Sequence, residues 1–204
     1  MGKIDFKKAL PGYKARVGKP ELLTIPAMNY LQIDGMGDPN HSIEFQQAIE
    51  ALYTVAYTLK FMIKKRSGTD YGVAPLEGLW WADDMNDFLF SRKENWKWTA
   101  MIMQPEYVTD TLYKDAIKAA AGKKELPALK KMRLESLDEG LCVQVLYTGP
   151  YADEGPTIQS LHQFAKDNGC LLTGKHHEIY LNDQRKTAPE KLKTIIRQPV
   201  VVKG

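Results

Sequence analysis

Apolar residues recur along this chain with two different periods, and the switches between them divide it into elements. From Asn29 to Gly35 they alternate, and Gly-Met-Gly-Asp-Pro-Asn follows, so a strand runs into a turn and Asp38-Pro39 is expected to open a helix. Phe45, Ala48, Ile49, Leu52, Ala56, Leu59 and Ile63 keep the three-and-four spacing of one buried helical stripe, which Arg66-Ser67-Gly68 ends. Tyr71 to Trp81 reads as a strand interrupted by Pro75. Trp96 to Gln104 reads as its hairpin partner, across an acidic loop holding Asp83, Asp84 and Asp87. A second helix is expected over about 108 to 121, stopped at Gly122.

The pattern then begins again. Leu141 to Thr148 alternates as a strand, a Gly-Pro-Tyr-Ala-Asp-Glu-Gly-Pro turn follows, and Thr157 to Asn168 is helical up to Gly169. Thr173 to Leu181 and Thr194 to Val202 read as strands. Between them, Thr187-Ala188-Pro189-Glu190 has the form of a capping box and predicts a short helix around 188 to 193. Local matches support a repeat: Leu31-Gln32-Ile33 with Val143-Gln144-Val145, Leu76-Glu77-Gly78-Leu79 with His177-Glu178-Ile179-Tyr180, and Met101 to Pro105 with Ile195 to Pro199. Their common order predicts an α+β fold of duplicated strand-helix-strand-strand modules. Pseudo-twofold symmetry would then place a ligand pocket between the two copies. Residues 1–22, basic and punctuated by proline, read as a leader strap. A single domain is expected over 23–204, its halves at about 23–122 and 131–204.

Composition narrows the function classes. Of 204 residues, 44% are hydrophobic and 26% charged, which excludes disordered, collagenous and low-complexity chains. A formal charge of +3 does not require a polyanionic partner, so no direct nucleic-acid binding is expected. Segment 114 to 133 is basic, whereas Glu135 to Glu154 holds five acids and no Lys or Arg. Cys142 and Cys170 suit a reducing compartment better than a disulfide framework. Without a signal-peptide pattern or a run of apolar residues long enough to span a bilayer, the chain reads as a cytoplasmic protein with no membrane association.

No phosphate-binding loop, nucleophile elbow or zinc-protease motif occurs, so no cofactor is expected. The adjacent His176 and His177 would leave a strand on opposite faces, so no metal site is expected either. Alternation over Lys175 to Asn182 puts His176, Glu178 and Tyr180 on one face and His177, Ile179 and Leu181 on the other. A glutamate in a central strand must be paired, hydrogen-bonded or raised in pKa. Tyr180, Lys175 or an arginine could satisfy Glu178 structurally. Alternatively, it is the negative point of an aromatic pocket walled from Tyr71, Trp80, Trp81, Trp98, Tyr107 and Tyr147. Such walls select flat, lipophilic and often cationic ligands. Only one of Trp80 and Trp81 can face the core. Glu77 is either a second carboxylate across the axis or a hairpin-edge charge.

Pro75 to Asp84, and more specifically His177 to Val200, make the chain similar to stand-alone members of the GyrI-like small-molecule-binding family. The resemblance covers residues 20 to 202. It implies a duplicated fold around a central pocket, with the family's buried glutamate at Glu178. Relatives include drug-sensing effector-binding domains that take lipophilic cations and hydrolases that open the cyclopropane of DNA-alkylating compounds. As such a hydrolase, the chain would use Glu178, its pKa raised by burial, to deprotonate water. Tyr180, another tyrosine or a tryptophan would steady the developing oxyanion. The alternative expectation is a protein partner: a DNA-processing enzyme inhibited or protected through the acidic 135 to 154 segment.

Overall fold

The computed structural model describes residues 2–84 and 92–204, so the expected loop acid Asp87 lies outside the described residues. Nine strands form one sheet: β1 (Glu21–Ile25), β2 (Met28–Met36), β3 (Leu76–Trp81), β4 (Lys97–Gln104), β5 (Arg133–Leu137), β6 (Gly140–Thr148), β7 (Cys170–Leu172), β8 (His176–Tyr180) and β9 (Lys193–Val202). Four α-helices are described: α1 (Phe6–Ala9), α2 (Ile43–Ser67), α3 (Asp110–Ala121) and α4 (Gly155–Asp167). The result is the expected α+β architecture.

Strands follow the order β1-β6-β9-β8-β3-β4-β2-β5, with β7 paired to the end of β9, and every ladder is antiparallel. Central to it is the β3/β8 ladder, in which Gly78 faces Glu178. Each half contributes its first strand to the other side: β1 completes β6, and β5 completes β2. Matching Gln32 with Gln144, Glu77 with His177 and Met101 with Arg197 carries the register of one half onto the other. The ladders therefore relate Glu77 to His177, not to Glu178. The letter match was one residue out of step, and in a pleated strand one residue is the difference between faces.

Ser42 starts α2, its hydroxyl accepting from the Phe45 N–H at 3.1 Å, and Gly68 ends it in the left-handed region at φ 73°. The helix thus begins after the Asp38-Pro39 turn. Asp38 instead accepts from the Asn40 N–H at 2.9 Å, a local bond that holds the backbone out of the helix. The expected strand from Thr173 to Leu181 begins only at His176, because Gly174 at φ 61° turns the chain, and a short strand that the sequence did not indicate, β7, precedes that turn. Around Pro189 the expected helix is a single 3₁₀ turn, Pro189–Lys191.

Helices α2 and α4 lie on the same sheet face. The α2 stripe of Ala48, Leu52, Val55 and Leu59 packs on Leu31, Ile33, Ala100 and Ile102. Leu161 and Ala165 of α4 pack on Val143, Val145 and Ile196. Across the opposite face runs the leader, anchored by buried Tyr13. Among the described residues, no helix is long and apolar enough to cross a membrane.

Candidate functional site

The central ladder presents a different chemistry on each face. On the helix-bearing side, alternation stacks His176, Glu178 and Tyr180 of β8 along one line, with Trp80 and Gly78 of β3 beside them. Trp80 Nε1 donates to the Tyr180 hydroxyl at 3.1 Å, and that hydroxyl donates to Glu178 Oε2 at 2.7 Å. His176 Nε2 lies 3.2 Å from Glu178 Oε1. Gly78 is needed here because the Trp80 indole folds back over it: a Cβ at position 78 would stand 2.7 Å from Trp80 Nε1. Phe45 of α2 packs against Trp80 at a ring-centroid distance of 5.8 Å, and Tyr151 meets Tyr180 edge-on at 5.4 Å.

A second carboxylate stands beside the first. Glu154, the residue before α4, is 3% exposed and borders Glu178 and Thr194. Its pKa is raised to about 9, first by burial and then by the charge of Glu178. The positive end of a helix favours an anion by about 0.3–1 kcal/mol, less than one pKa unit, so it does not reverse that shift. Burial also acts against Glu178, but the bonds from His176 and Tyr180 outweigh it and lower its pKa. The rise expected at Glu178 thus falls on Glu154, because Glu178 has charge-stabilising partners. Tyr180 is pushed well above the usual phenol value by burial and by Glu178, and stays a hydrogen-bond donor.

On the leader's side the same two strands hold a buried ionic network. His177 Nε2 lies 2.9 Å from Glu77 Oε2, and Nδ1 lies 2.9 Å from Glu139 Oε1. Arg197 donates to Glu139 Oε2 at 2.8 Å and to the Gly12 carbonyl, and Tyr13 donates to Glu77 Oε1 at 2.6 Å. Burial opposes the charge on His177, yet Glu139 and Glu77 raise its pKa to about 9. Burial likewise opposes the Glu139 charge, and His177 and Arg197 bring that pKa down to about 2.

The expected site residues therefore divide. Glu178, Tyr180 and Trp80 are bonded together, and Tyr147 lies near Glu154 with its hydroxyl donating to the Pro150 carbonyl at 3.0 Å. Trp98 is fully buried against Phe45 at 4.9 Å, within the core under α2. Trp81 and Glu77 belong to the other face. The Lys175 ammonium sits 3.3 Å from the Trp81 ring centroid, and Glu77 is tied into the His177 network. Tyr71 packs between Phe6 and Tyr107, at 5.5 Å and 6.1 Å, away from Glu178.

Glu154, Tyr151 and Thr194 were not singled out from the sequence. Glu154 in particular reads there as a solvated acid before a helix. Within the acidic 135 to 154 segment the side chains of Glu139 and Glu154 are buried, leaving Glu135, Asp138 and Asp153 exposed. A cavity of about 620 Å³ opens on the leader's side among Lys7, Tyr13, Leu181, Lys191 and Lys193.

Comparison with known proteins agrees with this architecture. A family profile described as the GyrI-like small molecule binding domain matches residues 18–201. An uncharacterized conserved protein from Listeria innocua is 41% identical, with 98% of this chain and 100% of that chain covered and a TM-score of 0.87. A hydrolase from Listeria innocua is 39% identical, with the same coverage and a TM-score of 0.84. The C-terminal domain of EcmrR shares the fold at 15% identity, with 91% of this chain and 98% of that domain covered and a TM-score of 0.56. No curated protein matches the chain. With the profile covering residues 18–201, the chain belongs to the GyrI-like small-molecule-binding family.

Proposed function

We propose that the helix-bearing face of the β3/β8 ladder binds flat, lipophilic aromatic molecules, cations among them, and that it opens cyclopropanoid rings by hydrolysis. The observation that carries this reading is Glu178, a carboxylate held in its charged form between His176 and Tyr180, with Trp80 bonded to the Tyr180 hydroxyl and the Glu178 side chain 16% exposed. A fixed negative charge against aromatic faces attracts a flat cation through ion pairing and cation–π contact. The hydrolase from Listeria innocua, alike over 98% of this chain, supports the catalytic part.

In a spirocyclopropyl dienone, water attacks a cyclopropane carbon and the strained C–C bond breaks. The bonding pair moves onto the carbonyl oxygen, leaving a phenolate. Glu178 takes the proton from the attacking water, and the phenolate is protonated afterwards. Tyr180 donates to Glu178 and so positions the base; in the resting cleft its proton is not directed at the ligand oxygen.

The test mixes the protein with a large excess of a spirocyclopropyl dienone and follows the chromophore. Linear loss over many equivalents is expected, reduced about 100-fold or more in Glu178→Gln, the range of general-base catalysis. Loss that stops near one equivalent would mean a binder or scavenger. If several flat aromatic cations give no saturable quenching of tryptophan fluorescence up to about 1 mM, the binding reading fails too.

A further inference from the structure

Glu154 has no task in that reading, yet its surroundings are specific. Its side chain is 3% exposed, and Oε1 has no hydrogen-bond partner among the described residues. Thr194 Oγ1, on β9 beside it, makes no well-formed hydrogen bond, and its approach favours the Glu154 charge but is outweighed by burial and by Glu178. Glu178 and Tyr180 face it from β8, Tyr147 from β6, and Tyr151 from the turn before α4, with His176 on the other side of Glu178. Two neighbouring carboxylates in so dry a place cannot both be charged at little cost. Glu178 has donors from Tyr180 and His176, whereas Glu154 has an orphaned oxygen, so the proton resides on Glu154.

We propose that Glu154 is the exchangeable proton of the cleft: neutral while the cleft is empty, it ionises when a lipophilic cation docks against Glu178, so that cation binding releases a proton. The O–H bond of Glu154 breaks, its electron pair stays on the carboxylate, and the proton passes to solvent. The incoming charge offsets the repulsion from Glu178 and gives the Glu154 carboxylate the cationic neighbour it lacks. This inference rests on the cleft's binding cations but not on its catalysing anything. By linkage, cation affinity rises with pH until Glu154 is ionised in the empty cleft, at about 9, whereas a neutral ligand of the same shape shows no such rise.

The experiment titrates the full chain with N-methylquinolinium, whose charge is independent of pH, and with neutral quinoline. Calorimetry in two buffers of different ionisation heat counts the protons released. A release approaching one proton per cation at pH 7 is expected, with binding about 50-fold tighter at pH 9 than at pH 7. Both effects should vanish in Glu154→Gln, which still binds the cation, and quinoline should show neither. Saturable cation binding without proton release, or release that survives Glu154→Gln, overturns the inference and leaves the cleft reading standing. If the cation does not saturate, both fall. The infrared carbonyl stretch of a protonated acid in the empty protein, lost in Glu154→Gln, then shows which premise was at fault: its absence means that Glu154 never held the proton.

Discussion

His177 and Glu178 are consecutive residues whose side chains leave β8 on opposite faces of the sheet, one into a closed ionic network and the other to the helix-bearing face, between His176 and Tyr180. His177 is fully enclosed and bonded on both ring nitrogens, so it fixes the strand that presents Glu178. The rigidity of one face is therefore the precision of the other.

The first prediction concerns pH. His177 has a folded pKa of about 9, above the ordinary value, so its stabilisation is complete below about pH 6.5 and is lost as pH rises through 9. The difference corresponds to about 3 kcal/mol, with a slope of at most about 1.4 kcal/mol per pH unit. Urea midpoints measured from pH 6 to pH 10 should fall, and His177→Gln should reduce the fall. The slope that remains comes from Glu154, whose folded form keeps a proton that the unfolded chain gives up above the carboxylate range, and toward pH 10 also from the Cys142 thiol, which burial pushes up to about 12. An unchanged pH profile in His177→Gln would mean that the imidazole is not charged in the fold.

Arg197→Met is expected to cost about 3–5 kcal/mol, because it leaves Glu139 buried without its guanidinium. Methionine itself suits the position: Met101 occupies the corresponding place in the other half. Adding Glu139→Gln should therefore recover part of the loss, and a double-mutant cycle by denaturant unfolding measures how much. Strictly additive losses would contradict the pairing.

Gly78→Ala should act through Trp80. The new methyl group would meet the indole at 2.7 Å from Nε1 and push it off the Tyr180 hydroxyl, an overpacking worth about 1–3 kcal/mol. Trp80→Phe removes the same bond without the clash and should cost only about 1 kcal/mol. If both variants keep wild-type stability and wild-type quenching by aromatic ligands, Trp80 does not line the binding cleft.

Much of this arrangement was legible in the sequence where one period dominates. The α2 stripe from Phe45 to Ile63 and the alternation of His176, Glu178 and Tyr180 are local patterns, and the structure reproduces both. The sheet edges were not legible. β1 and β5 are five residues each, mix charge with leucine, and become strands only by pairing with β6 and β2. Letter similarity between the halves was also misleading, since it paired Glu77 with Glu178 and thereby exchanged the two faces. No local pattern marks Glu154, because its significance arises from a neighbour on a strand that follows the whole of α4.

The strand exchange between halves also orders events during synthesis. β1 leaves the ribosome early, but its partner β6 follows only after α2, the central hairpin and α3, with Glu21 waiting for Gln144. Until then β1 is an unpaired edge, the kind of surface that aggregates and that chaperones cover. β9 follows β8 in the chain, pairs with both β6 and β8 and carries Arg197, so the sheet and its ionic network close together only once β9 is available. Completion of this fold therefore waits for β9 and cannot be reached by either half alone.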